Sequence, residues 1–354
     1  QLQHPNILSL YDYGEIDNMI QYFTMSEIKG YALSEYIKQV HSISDHHGWG
    51  QTQDGWNLHR LISAFYDVTK AIAYAHEVGV LHRDIKSDNI MVGSLGEVIV
   101  VDWGLALVYS NEEDHPTMEL SGGESESRAG LVCGTPIYLA PELARMNGTK
   151  ANVYTEIYSL GVVLYEILVG QIPYSKLKLS LLLQRIANQG LPKIPTHSEV
   201  SRDTKDSMQD HERYFSKSGA PLPFELVKIC EKASAFEAID RFTTVLELTK
   251  VLGAWLDGSQ KRQQALEIVN QAHQMNEEIQ ALQQKVTILK DEAMEISTQI
   301  KLWQAESQKH DLWILEDSAK MFEVQTQLLK TKQVQLYRSA LAYKPDLFEA
   351  HSAL

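Results

Sequence analysis

The sequence predicts an α+β fold, with a small β-containing N-terminal part, a mainly helical body and long α-helices behind it. Three observations predict this. Short runs of β-formers separated by turn residues fill the first 25 residues and return between Val80 and Leu107. Helical periodicity dominates much of the remainder up to about Leu256. Past Gly258 the composition shifts to Gln, Glu, Lys and Ala, and neither Pro nor Gly recurs until Pro345.

Residues 7–25 hold two β-rich runs broken by Gly14 and by Asp17-Asn18, the pattern of a hairpin. A helical pattern begins near Ala32, and an irregular segment rich in His, Ser and Gly covers 41–55. A strong helix is predicted over 56–77, because Leu58, Leu61, Ile62, Phe65, Val68, Ile72 and Ala75 recur at helical spacing and Gly79 stops it. Short buried strands follow to Leu107, then a polar loop over 110–130. Further helices are predicted at 153–169, 179–188, 224–235 and 243–256, with 194–223 largely loop.

In the tail, Ala265, Ile268, Ala272, Met275, Ile279, Leu282, Val286, Leu289, Ala293, Ile296, Ile300 and Trp303 alternate spacings of three and four. That is an a/d seam, which suits either a coiled coil or a helical hairpin packed on itself. Three alanines in the seam argue against a strong dimer. The register is lost at 307–311, and a second helix runs to about Ala342. The predicted organisation is thus 1–257, 258–335 and 336–354.

The chain has 354 residues, enough for two or more folded units, with 44% hydrophobic and 22% charged residues. Its formal net charge of −14 excludes binding along a nucleic-acid backbone, which needs a basic surface. A nucleotide pocket is still allowed, since it needs only a few placed groups. Two cysteines, Cys133 and Cys230, form no metal or disulfide framework and point to a reducing compartment, the cytoplasm. The longest apolar run, 160–169, is interrupted by Gly161, Tyr165 and Glu166 and reads as a buried helix, not a membrane span.

The most informative stretch is His82-Arg83-Asp84-Ile85-Lys86-Ser87-Asp88-Asn89. Phosphoryl transfer needs a carboxylate to orient the acceptor hydroxyl, a cation for the transferring phosphate and oxygen ligands for magnesium. Asp84, Lys86 and Asn89 supply those groups within one loop. Behind the apolar strand 98–101 comes Asp102-Trp103-Gly104, and later Gly134-Thr135-Pro136-Ile137-Tyr138-Leu139-Ala140-Pro141-Glu142. In this order the three stretches resemble the H-R-D-x-K-x-x-N, D-F-G and G-T-P-x-Y-x-A-P-E motifs of eukaryotic-like, bacterial-type serine/threonine protein kinases.

The resemblance implies a two-lobed kinase fold that moves the γ-phosphate of ATP to protein Ser or Thr hydroxyls. Asp84 would act as base and Lys86 would face the transferring phosphate. Asn89 and Asp102 would hold Mg2+ or Mn2+. Trp103 stands where the family has Phe and keeps an aromatic ring between the lobes. Thr135 would bond Asp84 and Lys86, and Glu142 would pair with Arg241. Glu156 replaces the family's Asp, whose carboxylate accepts backbone N–H groups of the catalytic loop. His4-Pro5-Asn6-Ile7 resembles the segment after the regulatory helix. Residues 24–30 resemble the hinge, with Met25 behind the adenine pocket, Ser26 and Ile28 bonding the adenine edge, and Met91 under the ring. Arg83 would bind a phosphorylated loop residue, with Ser125 or Ser127 as acceptor.

The resemblance begins at Gln1, inside the pattern. The chain is therefore expected to be a piece lacking the Gly-rich loop, the ATP-anchoring Lys and its Glu partner, and by itself inactive. A pseudokinase scaffold that only binds partners is the alternative. Tyr337, Ala340, Pro345, Ala350 and Leu354 fit the junction of two tetratricopeptide repeats, so the tail is expected to bind protein partners or itself. His41, Asp45, His46 and His47 can be drawn as a metal cluster, but a polar loop insertion is the better reading of the sequence.

Overall fold

The computed structural model describes residues 2–16, 20–109, 134–145, 148–175, 177–196, 214–299 and 309–354. It divides into two units, Gln1–Leu256 and Asp257–Leu354.

The first unit opens with the expected hairpin, β1 (Leu10–Ile16) antiparallel to β2 (Ile20–Met25), with Tyr13 opposite Phe23. Before it, Asn6 and Ile7 are pinned to a later strand. Val100 N–H donates to the Asn6 carbonyl at 2.8 Å, and Asn6 Nδ2 donates to the Val98 carbonyl at 2.8 Å. After the hairpin, β3 (Gly30–Ala32) leads directly into α1 (Leu33–Ser42). β3, β5 (Ile90–Gly93) and β6 (Val98–Val100) form one antiparallel sheet in the order β3-β5-β6. Two-residue strands β4 (Val80–Leu81) and β7 (Leu107–Val108) pair beside it.

Helix α2 (Leu58–Glu77) starts two residues later than predicted because Asn57 caps it, its side chain accepting from Arg60 N–H at 3.0 Å. Trp56 is buried just ahead of the cap. After α3 (Pro141–Ala144), α4 (Val153–Val169) is apolar nearly all round and runs through the core, packed against α2 and α6 (Phe224–Ala233). Asn152 and Thr155 close a capping box at its start. Gly170 ends it with φ 81°, and a Cβ there would lie 2.4 Å from Nδ1 of the His41 ring. α5 (Leu179–Gln189) and the short hairpin of β8 (Tyr214–Phe215) and β9 (Pro221–Leu222) complete the body. That hairpin lies in a stretch read from sequence as loop, since two-residue strands are too short to leave a periodicity.

The last helix of the body does not stop near Leu256 as predicted. α7 spans Val245–Gln299, with Gly258 inside it. One helical glycine costs only about 1 kcal/mol relative to Ala, and the helix formers after it outweigh that. In the second unit α7 and α8 (His310–Tyr343) form an antiparallel hairpin, followed by α9 (Phe348–His351). Gln333 donates to the Ala272 carbonyl and to Asn276 Oδ1, His273 meets the Tyr337 ring, and Lys290 pairs with Glu323. Partner numbers fall along α8 as they rise along α7. Ala265, Ala272, Ile279, Leu282 and Ala293 of the predicted seam are buried, while Ile300 and Trp303 lie outside the described residues. Among the described residues, α8 of the same chain lies against this seam.

Candidate active site

Residues 82–89 form the loop between β4 and β5, so both ends are fixed by strand pairing. Asp84 is at its centre, and its carboxylate accepts from four groups. Lys86 Nζ reaches Oδ2 at 2.6 Å and Asn89 Nδ2 reaches it at 3.0 Å. Thr135 N–H and Oγ1–H reach Oδ1 at 2.8 and 2.9 Å. Burial pushes the Asp84 carboxyl up, but the bonds from Lys86 and Thr135 together outweigh it and hold it below the ordinary carboxylate range. Lys86 Nζ also donates to Thr135 Oγ1 at 2.9 Å, which leaves one of its three N–H groups uncommitted among the described residues. Gly134 brings Thr135 this close. Its φ is 106°, and a Cβ there would sit 2.7 Å from the Arg83 carbonyl oxygen.

His82 is fully buried beneath the loop, donating from Nε2 to the Val101 carbonyl at 3.0 Å and accepting Asp84 N–H at Nδ1 at 3.2 Å. Burial lowers its pKa, which keeps the neutral ring that can do both. Trp103 lies half-buried against it, with ring centroids 4.5 Å apart, and donates from Nε1 to the Val100 carbonyl at 3.1 Å. Asp102 comes beside the loop because Val101 N–H bonds the Asn89 carbonyl at 2.9 Å. Its backbone is left-handed (φ 64°, ψ 59°), and its exposed carboxylate has no hydrogen-bond or ion-pair partner among the described residues. Asn89 uses its Nδ2 on Asp84, so its Oδ1 is also uncommitted there. Unpaired carboxylate and amide oxygens are the donor set a hard divalent cation takes, so these residues fit Mg2+.

Glu142 and Arg241 form a bidentate pair at 2.7 and 2.9 Å, with the Arg241 side chain wholly buried. Its remaining N–H bonds go to the carbonyls of Ala235, Tyr154 and Phe236. Glu156, at the start of α4, accepts Arg83 N–H at 2.5 Å on one oxygen and bonds His76 Nε2 at 2.6 Å with the other. The longer side chain thus reaches the loop, and His76, in the last turn of α2, shares its carboxylate. Sequence reasoning missed His76. It also missed Glu166 of α4, buried and accepting from Tyr138 Oη at 2.9 Å, with Ser87 Oγ 3.2 Å from that hydroxyl. Burial holds the Glu166 carboxyl above its ordinary range.

The family model for the protein kinase domain matches residues 1–245. The chain belongs to the protein kinase family. It is 32% identical over 268 residues to the serine/threonine-protein kinase PknD of Chlamydia pneumoniae, covering 73% of this chain and 26% of that one. The corresponding PknD of Protochlamydia amoebophila (strain UWE25) is 29% identical over 266 residues, covering 73% and 24%. The chain therefore spans about a quarter of the length of the curated relatives it matches.

Met25 ends β2 with 48% of its surface exposed, and Ser26 Oγ bonds the Tyr11 hydroxyl. The backbone N–H and C=O groups of Ser26 and Ile28 make no hydrogen bond among the described residues. Met91 is half-buried on β5 between Ala32 and Ile99. The Arg83 guanidinium has no partner among the described residues, and Ser125 and Ser127 lie outside them.

Proposed function

We propose that this chain is the catalytic part of a serine/threonine protein kinase that transfers the γ-phosphate of ATP to protein Ser or Thr hydroxyls. The observation that carries the reading is the Asp84 carboxylate, held ionised and aimed by Lys86, Asn89 and Thr135. An ionised, oriented carboxylate at this place can accept the hydrogen bond of an incoming hydroxyl and take its proton as the phosphate arrives. The spare N–H of Lys86 is available to the transferring phosphate. Asn89 and Asp102 would hold Mg2+, which when bound supplies positive charge against the phosphate oxygens. The free backbone groups of Ser26 and Ile28 take the adenine edge, with Met25 and Met91 lining the ring. Arg83 receives a phosphorylated loop residue, Ser125 or Ser127.

The second unit is read as a protein-binding extension. Tyr337, Ala340, Leu347 and Ala350 pack with Ala265, Val269 and Ala272, as the junction of two helical repeats would, and self-association through this unit is part of the proposal. No helix among the described residues is long and apolar enough to cross a membrane.

The test is transfer of radiolabel from ATP to a generic protein acceptor by the full-length protein. Asp84→Asn is expected to lower the rate by about 10²–10⁴-fold. Equal transfer by wild type and variant would remove the assignment. A scaffold without catalysis predicts no transfer from either.

A further inference from the structure

The sequence alone favours reading 41–55 as a solvated insertion, but the structure converges three of its side chains. The ligand atoms of Asp45, His46 and His47 all lie within 4.8 Å of one another on an exposed turn. We propose that this turn binds a zinc-type divalent cation, independently of the phosphoryl-transfer site.

The turn is built, not loose. Asp45 and Gly48 exchange both backbone bonds at 3.1 Å. The Asp45 Oδ1 accepts His47 N–H at 2.8 Å, which orients the carboxylate and leaves its second oxygen uncommitted among the described residues. The imidazoles of His46 and His47 lie side by side, with centroids 3.9 Å apart and planes at 41°. On either side the turn is anchored: Ser44 Oγ donates to the Val40 carbonyl and accepts Gly50 N–H, while Trp49 Nε1 donates to the Pro221 carbonyl at 2.7 Å.

Two imidazoles and one carboxylate are a borderline-soft donor set that suits Zn2+, Cu2+ or Ni2+ rather than Mg2+ or Ca2+, which take oxygen. Because the ligands are consecutive residues, binding closes no loop, and its entropic cost is confined to fixing three side chains. Rotation of exposed side chains brings the donors from their present spacing to the roughly 2 Å bonds zinc makes. Three protein ligands leave a tetrahedral position for water.

The experiment titrates Zn2+ into the chelator-stripped full-length protein against a chromogenic competitor, with excess Mg2+ present to occupy oxygen sites. The wild type is expected to take up one ion that the His46→Ala/His47→Ala variant holds at least about tenfold more weakly, with Asp45→Asn in between. All three side chains are exposed, so the variants are expected to melt with the wild type. Unchanged zinc affinity in the double variant, or no saturable uptake by the wild type, overturns the proposal.

Discussion

Asp84 and Glu142 each hold a cation at 2.6–2.7 Å, yet the Lys86 side chain keeps 20% of its surface in solvent whereas that of Arg241 keeps none. All five N–H donors of Arg241 are used, on Glu142 and on three backbone carbonyls. That guanidinium has no donor left for a ligand. Around Asp84 the reverse holds. The carboxylate itself is satisfied, but an N–H of Lys86, the Oδ1 of Asn89 and the whole carboxylate of Asp102 face no partner among the described residues. One ion pair locks the helical body together, and the other leaves hydrogen-bonding capacity uncommitted, where a ligand can use it.

The contrast breaks most readily at Asp84. Its Asn variant, beyond the large loss of transfer rate, is expected to leave the denaturation midpoint close to wild type, because Lys86 can turn to water, Asn89 Nδ2 keeps the Asp84 carbonyl and an amide oxygen can still accept from Thr135. If Asp84→Asn unfolds as easily as an Arg241 variant, the two pairs are not different in kind. For Arg241→Ala, about 3–5 kcal/mol of stability should be lost in urea titration, since a carboxylate stays behind without its partner. Replacing both members by apolar residues of similar volume should restore most of that loss.

Glu156 tests a boundary between the two regions, because it belongs to the core helix but grips the loop. Glu156→Ala strands Arg83 N–H and the His76 ring, and about 1–3 kcal/mol should disappear, with a lower rate from the freed loop. Glu156→Gln should recover part of both, since one oxygen can still accept from Arg83. A smaller effect is expected at Glu166. Its folded pKa is raised, so its ionisation above the unfolded value near 4.3 weakens the fold as pH climbs. Glu166→Gln lacks that ionisation. Its stability relative to wild type should therefore increase from pH 4 to pH 7, and a flat difference would show that the buried carboxyl does not titrate in this way.

How much of this could be read from the sequence depended on distance along the chain. Asp84, Lys86 and Asn89 lie within one loop, so their meeting was legible as a spacing. Glu142 and Arg241 are 99 residues apart, and only the family resemblance paired them. His76 and Glu166 escaped altogether. One sits on an amphipathic helix where a histidine is unremarkable, the other interrupts an apolar run, and neither carries a local sign of its partner. The tail shows a different limit. Spacings of three and four identified which face of α7 is buried, but not whether the covering helix comes from the same chain or another. Gly258 misled for a related reason, since a single breaker is outvoted by the helix formers that follow.

Arg83 and Asp102, with φ of 71° and 64°, are two of the three described non-glycine residues that hold a left-handed backbone, the third being Tyr174. Each such torsion carries a penalty of roughly 1–2 kcal/mol for a side-chain-bearing residue. Glycine at either position would relax the main chain and delete the guanidinium or the carboxylate in the same stroke. Laboratory selection for heat resistance with activity retained should therefore leave both codons unchanged and accumulate its gains elsewhere. A thermostable, fully active clone carrying glycine at 102 would show that the Asp102 carboxylate is not needed for transfer.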